Sequence, residues 1–258
     1  MIDVAAYVRR IAYAGPLAPT AETLRGLHLA HLLAVPFENL DIGLGRPIAL
    51  DEAALFDKIV VRRRGGFCYE LNGLFAALLR ALSFDVALLS ARVARPDGGF
   101  GPPFDHLTLL VTFPEPEGGL LADVGFGDSF REPLLFQEAI EQPQEGHVYR
   151  LTREAEEWTL LRRAEGDRDG PWEAQYRFTT RPHRWADFAE MCRYHQTAPE
   201  SPFTRRRTCS RATPEGRITL SDGRLIVTER GERQEHPLSG EDDYAAALRE
   251  HFGIVLND

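Results

Sequence analysis

Val4, Tyr7, Val8 and Ile11 follow the spacing of one helical face, with Asp3 placed to cap it. Thr20 can cap a second helix carrying Leu24, Leu27 and Leu32, which must end by Pro36. Asp51 can cap a third, with Leu55, Phe56 and Ile59 on one face. A fourth begins near Cys68, where Leu71, Leu74, Phe75, Leu78, Leu79 and Leu82 form a long apolar stripe. The period then changes. Val86–Val93, His106–Phe113 and Leu120–Phe126 are short branched-aliphatic runs, separated by the Pro/Gly clusters Arg95–Pro103 and Pro114–Gly119, which is strand chemistry. Further strands are expected at Val148–Thr152, Trp158–Arg163 and Trp172–Phe178. A helix is expected at Arg184–His195, then strands at Arg217–Leu220 and Arg224–Glu229. A last helix, Asp242–Phe252, ends at Gly253. Helices, then strands, then a mixed tail predict an α+β protein in about three parts.

The chain has 258 residues, room for one large domain or two to three small ones at roughly 100–200 residues each. The balance of 39 acidic against 30 basic residues, net charge −9, argues against nucleic acid as a partner, because phosphate binding needs a basic surface. No apolar run reaches the about 18–20 residues of a membrane span. The first residues carry no basic-then-apolar signal pattern. Cys68, Cys192 and Cys209 are too few and too scattered for a disulfide framework, and without a CxxC pair no metal site is expected. These features predict a soluble, cytoplasmic protein. Lys58 is the one lysine, and no function follows from that bias.

Cys68 follows Arg62-Arg63-Arg64-Gly65-Gly66-Phe67 and opens the apolar helix. The glycines allow a tight entry, and a helix N-terminus favours thiolate over thiol; the three arginines could add to that field. The competing reading is a buried structural cysteine, which fits Cys192 and Cys209 better. Among eight histidines, His28 and His31 are read as solvated or packed, His195 as a cation at a helix end, and His147, His183, His236 and His251 as surface residues. His106 differs, because it opens an apolar strand directly after a Gly/Pro loop. Asp123 lies in an apolar run where a charge is costly unless paired. Cys68, His106 and Asp123 are therefore the candidate nucleophile, base and orienting group. Any chain of this size offers many such trios, and their local contexts set this one apart.

Those contexts resemble the arylamine N-acetyltransferases of bacterial type. Arg64–Asn72 (RGGFCYELN) looks like that family's active-cysteine motif, and Val35–Leu40 (VPFENL) like its upstream element. Asp105–Leu109 (DHLTL) matches its histidine strand, Asp123–Gly127 (DVGFG) its aspartate motif, and Gln196–Thr204 resembles a later Pro/Ser/Phe element. The resemblance implies a helical bundle, a β-barrel-like domain and an α/β lid around a core like that of cysteine proteinases, placed at residues 1–84, 85–183 and 184–258. It also implies acetyl-coenzyme A as donor, arylamines or hydrazines as acceptors, a role in xenobiotic metabolism, and an acetyl-Cys68 thioester formed in ping-pong order, with the catalytic triad Cys68, His106 and Asp123. Phe37, Phe126, Gly127 and Thr108 become candidate acceptor contacts, with core packing an equal reading for Phe37. Gly98, Gly99, Phe203 and Thr204 become candidate coenzyme contacts, with Arg205-Arg206-Arg207 a possible phosphate patch or simply solvated. Glu38, Arg64 and Asn72 are expected to support the site structurally. A related amide synthase, joining a carrier-bound polyketide to an aryl amine, uses the same residues; a thiol hydrolase and a non-catalytic relative are weaker rivals.

Overall fold

The structure is a computed structural model and describes residues 2–114 and 118–256, so part of the Pro114–Gly119 separator lies outside the described residues. The expected caps all form. Asp3 accepts the Ala6 N–H ahead of α1 (Val4–Arg10), and Thr20 accepts the Thr23 N–H ahead of α2 (Ala21–Ala34). After β1 (Phe37–Glu38) and α3 (Leu40–Gly43), Asp51 accepts the Ala54 N–H ahead of α4 (Glu52–Phe56), which runs on as a π-helical turn over Asp57–Val61. The long stripe becomes α5 (Cys68–Ala81), with Leu71, Leu74, Phe75, Leu78 and Leu79 fully buried.

Eight antiparallel strands follow one another in space as β5 (Leu134–Leu135), β4 (Gly119–Ala122), β3 (His106–Thr112), β2 (Asp85–Val93), β9 (Glu173–His183), β8 (Glu157–Ala164), β7 (His147–Glu154) and β6 (Gln142–Gln144). Leu89, Leu121, Leu151, Leu160, Tyr176 and Phe178 fill the inner side of this curled sheet. Leu88, Leu107, Leu109, Val111 and Leu120 pack outward against the α5 stripe. β2–β4 therefore bury both faces, which explains their unbroken apolar runs. The two edges are joined by glutamine side chains. Gln142 exchanges hydrogen bonds with the Leu135 backbone (2.7 and 3.1 Å), and Gln144 accepts from Arg131 N–H while donating to the Glu132 carbonyl. These amides stand in for a ladder and leave the barrel nearly closed.

A second sheet orders β1, β10 (Thr208–Thr213), β11 (Gly216–Ser221), β12 (Arg224–Glu229) and β13 (Glu232–Pro237). Its own core holds Cys209, Leu220, Tyr244, Leu248 and Phe252, the last three from α8 (Glu241–Ala247) and its π-helical extension Leu248–Phe252, which stops at left-handed Gly253. α6 (Ala189–Thr197) and α7 (Pro202–Arg205) bridge the sheets.

Three expectations need correction. The run Leu120–Phe126 is a strand only to Ala122, because Asp123 turns the chain to bond with its own side-chain partners. The Arg184–His195 helix is a 3₁₀ turn, Trp185–Phe188, followed by α6. β1, β5, β6, β10 and β13 were not expected; β1 and β5 have two residues each, and β13 (ERQEHP) is exposed throughout, so none of these three carries a period.

Arg10 fastens the helical layer. Its buried guanidinium donates to the carbonyls of Ile59 and Ala34, both at 2.9 Å, and to those of Arg63 and Arg64 at 3.3 Å. One side chain thus ties the end of α2 to the loop that delivers Cys68. Arg10→Met strands these acceptors and is expected to cost about 3 kcal/mol in urea unfolding. A loss below about 0.5 kcal/mol would show that water replaces the guanidinium.

Candidate active site

Cys68 is the first residue of α5, and the loop before it is pinned. A Cβ on Gly65 would fall 1.9 Å from the Pro36 carbonyl, so only glycine permits this approach. Glu70 completes the helix start by accepting the Phe67 N–H at 3.0 Å. His106 is the first residue of β3, buried, and its Nε2 lies 2.6 Å from Asp123 Oδ2. Asp123 Oδ1 accepts from Asn72 Nδ2 (2.8 Å) and the Gly125 N–H (3.0 Å). Asn72 also donates to the Leu107 carbonyl (2.6 Å) and accepts the Val124 N–H (2.9 Å), so this side chain of α5 is satisfied at both ends.

Cys68 and His106 line one cleft of about 840 Å³, together with Phe37, Gly125, Phe126 and Phe203. With Nε2 engaged by Asp123, Nδ1 is the imidazole atom left to serve the thiol. Phe126 meets the His106 ring edge-on at 5.1 Å, and Tyr176 packs against both rings.

Burial works against the charged form of Asp123, but His106, Asn72 and the Gly125 N–H outweigh it and hold the carboxyl below its ordinary range. The Cys68 thiol goes the other way. Burial pushes it well above the usual thiol range, Cys192, Asp123 and Asp105 add to this, and the Leu107 N–H opposes. This corrects the expectation of a thiolate stabilised by the helix end and upstream arginines. Arg64 is held by Glu38 (2.8 Å) and Asp41 (3.0 Å), and Arg62 by Asp57 (2.7 Å), so their charges are compensated elsewhere. Cys68 and His106 face the same cleft, so the imidazole is the candidate partner for the thiol.

The structure brings together some of the other candidates. Phe37, Phe126 and Phe203 line the cleft, and Glu38, Arg64 and Asn72 are buried around it. Gly127 lies beside the Phe37 ring rather than among the lining residues. Thr108 is fully buried outside the cleft, its hydroxyl 3.2 Å from that of Tyr176, so it supports the wall and is out of reach of a ligand. Gly98 and Gly99 sit at the tip of a turn whose base, Val93–Pro96, does line the cleft. Thr204 folds its hydroxyl back onto the Ala198 and Ser201 carbonyls. Of the three arginines, Arg205 lines the cleft, while Arg206 pairs with Asp222 (2.8 Å) and Arg207 with Glu241 (2.6 Å).

Sequence reading missed two histidines here. His28 is buried, accepts the Asp123 N–H at 3.1 Å and donates from Nδ1 to the Arg131 carbonyl at 2.8 Å; burial lowers its pKa to about 4 and keeps it neutral. His195, in the last turn of α6 as expected, is buried in the cleft wall against Asp105. Spacing alone gave neither a partner.

Lys58 also gains a role. With Arg64 it faces three carboxylates, Glu38, Asp41 and Glu70, in a buried cluster beneath the Cys68 loop. One negative charge is in excess, and burial pushes Glu70 up to about 7, against the attraction of Lys58. Because its folded pKa exceeds the ordinary 4.5, Glu70 takes up a proton on folding, and its contribution to stability is lost as pH rises from about 4.5 to 7. Glu70→Gln is therefore expected to gain on the unsubstituted protein by about 2 kcal/mol between pH 5 and 8 in urea unfolding. A constant difference between the two would refute the proton uptake.

Known proteins match this architecture along the whole chain. The family model described as N-acetyltransferase covers residues 20–258. The arylamine N-acetyltransferase of Mycolicibacterium smegmatis is 36% identical over 261 residues, covering 100% of this chain and 94% of that protein. The structure of the Mycobacterium marinum arylamine N-acetyltransferase in complex with CoA superposes with a TM-score of 0.89 at 34% identity, over 98% of this chain and 93% of the other. The proansamycin X synthase of Amycolatopsis mediterranei is 33% identical over 256 residues, with 96% of each chain covered. Alike in sequence and fold from end to end to these proteins, the chain is a member of the arylamine N-acetyltransferase family.

Proposed function

We propose that the protein transfers an acetyl group from acetyl-coenzyme A to an arylamine or arylhydrazine through a thioester on Cys68. The observation that carries this reading is the His106–Asp123 hydrogen bond of 2.6 Å at the wall of the cleft that also holds the Cys68 thiol. Family membership supports the reaction class, and the CoA complex of the M. marinum relative supports the donor.

In the first half-reaction His106 Nδ1 takes the Cys68 proton, and the thiolate attacks the thioester carbonyl. A bond forms to Cys68 Sγ, the bond to the coenzyme sulfur breaks, and the coenzyme leaves with the proton from His106. In the second, the aryl nitrogen attacks the acetyl carbon, the bond to Sγ breaks, and the nitrogen's proton passes by way of His106 to restore the thiol. Asp123 holds the ring with Nε2–H inward and stabilises the imidazolium. First-turn N–H groups of α5 are positioned to receive the oxyanion. An arylamine is unprotonated at neutral pH, so it needs little acid–base help, and Phe37, Phe126 and Phe203 offer it an aromatic slot. The coenzyme's phosphates lie toward Arg205. A coenzyme and a free thiol suit a reducing, cytoplasmic setting. The helical (1–84), barrel (85–183) and lid (184–258) parts each supply one wall. Amide synthesis on a carrier-bound acyl chain, as the name of the A. mediterranei synthase suggests, is the alternative reading.

Brief exposure to acetyl-coenzyme A without acceptor should add one acetyl group to Cys68 by intact mass and peptide mapping, and aniline should remove it. No adduct on a Cys68 that still alkylates would reject the donor. Cys68→Ala should abolish transfer while the fold persists; Asp123→Asn should lower kcat by about 10³–10⁴-fold, the scale seen when a buried carboxylate no longer orients its histidine. Full activity in either variant would sink the mechanism.

A further inference from the structure

The cleft carries a second imidazole–carboxylate pair that the mechanism above does not use. His195 Nε2 lies 3.2 Å from Asp105 Oδ1, both residues line the cleft, and the sequence neighbour of Asp105 is His106. Asp105 Oδ2 accepts the Val93 N–H at 3.3 Å. A Cβ on Gly101 would sit 2.0 Å from that oxygen, so the glycine makes room for the carboxylate. Both Asp105 oxygens therefore meet donors, and Nε2 must carry a proton.

The other nitrogen is two-way. His195 Nδ1 is 3.1 Å from Ser201 Oγ, and the same hydroxyl is 3.1 Å from the His195 carbonyl. With a neutral ring, Ser201 donates to Nδ1. With an imidazolium, Nδ1–H donates to Ser201, whose hydroxyl turns to the carbonyl. In either state Ser201 Oγ keeps accepting the Phe203 N–H at 3.2 Å. Rotation of one hydroxyl thus accommodates either charge on His195.

We infer that Asp105 and His195 are positioning residues that set the thiolate fraction of Cys68: the carboxylate disfavours the thiolate, and a protonated His195 cancels that charge. The inference rests on Cys68 being the nucleophile. Tyr69, next to Cys68, joins the two sites physically, since its hydroxyl donates to the Phe104 (2.7 Å) and Asp105 (3.1 Å) carbonyls and its ring packs on His195. Asp105 is among the groups that raise the Cys68 thiol.

Other charged and titratable groups also face the pair. Burial raises Tyr69 and raises Cys192 to about 12, so both stay neutral. Tyr194, beside His195 on α6, meets its ring edge-on. Glu200, Arg205 and Arg95 line the cleft, and Arg205 Nε is bound to the Pro199 carbonyl at 2.6 Å. His106 is committed to Asp123, the other carboxylate that raises Cys68.

The test is the pH dependence of iodoacetamide alkylation at Cys68, followed by peptide mapping on the full chain. Asp105→Asn should lower the midpoint by about half to one pH unit, and His195→Gln should raise it by a similar amount. Ser201→Ala removes the acceptor for the second imidazole proton and should shift the midpoint upward too; it carries the test if His195→Gln fails to fold. A merely structural pair would lower melting temperature and rate without moving the midpoint. Selective alkylation of Cys68 with unshifted midpoints overturns this inference alone. If Cys68 of the unsubstituted protein reacts no faster than Cys192 or Cys209, the nucleophile reading falls, and this inference with it.

Discussion

A carboxylate that must stay charged while wholly buried organises this molecule. Asp123 is 1% exposed, and its charge is tolerable only because three donors converge on it. Those donors come from different places: Asn72 from α5, His106 from β3, and the Gly125 N–H from the turn that Asp123 itself begins. Its backbone N–H reaches further, to His28 on α2. Satisfying one charge therefore fixes the helical layer against the barrel. It also fixes which nitrogen of His106 faces the cleft. The requirement for a partner, visible in the sequence as an acid in an apolar run, is met by a chain of contacts that no single element could supply.

The loop that presents Cys68 is held by a second buried set of charges with the opposite character. Lys58 and Arg64 are outnumbered by Glu38, Asp41 and Glu70, so this cluster contains its own frustration. Glu38 belongs to β1, which pairs with β10 of the lid sheet, and Glu70 belongs to the first turn of α5. The cluster thus connects lid, helix and loop within one hydrogen-bonded unit. Arg64 is consumed there, as Arg62 is by Asp57, so these two charges before Cys68 are compensated away from the thiol.

The α5 stripe, the three N-caps and the apolar β2–β4 runs were legible because each is a local pattern repeated over several residues. The trio Cys68, His106 and Asp123 was legible because each departs from its local pattern: a cysteine at a helix start, a polar ring at a strand start, a charge in an apolar segment. What escaped was non-local. His28 and His195 look like ordinary helical histidines until α2 meets Asp123 and α6 meets Asp105. Lys58 carried no function in the sequence, and gains one only when the π-helical turn after α4 brings it under the Cys68 loop. Thr108 shares the His106 face of β3, but its hydroxyl is taken up by Tyr176 within the barrel rather than presented to the cleft. β13 had no apolar alternation to read, being held by its pairing with β12 alone.

Burial by itself does not single out a reactive cysteine. Cys68, Cys192 and Cys209 are all buried, and burial raises all three thiols. Their partners separate them. Cys192 meets the Gln196 amide at 3.3 Å, a neutral contact that lowers a thiol only slightly. Cys209 lies in the lid core, where Glu38 opposes the cations Arg64 and Arg211. Cys68 alone of the three lines the cleft that His106 also lines, with that ring held by Asp123. A high intrinsic thiol pKa and a reactive thiolate are compatible when the proton moves a short distance to a base whose charge is already compensated by a carboxylate. On the proposed mechanism, reactivity belongs to the Cys68–His106–Asp123 unit rather than to the sulfur. The helix end in the sequence marks where that unit sits, and the carboxylate supplies the charge it works with.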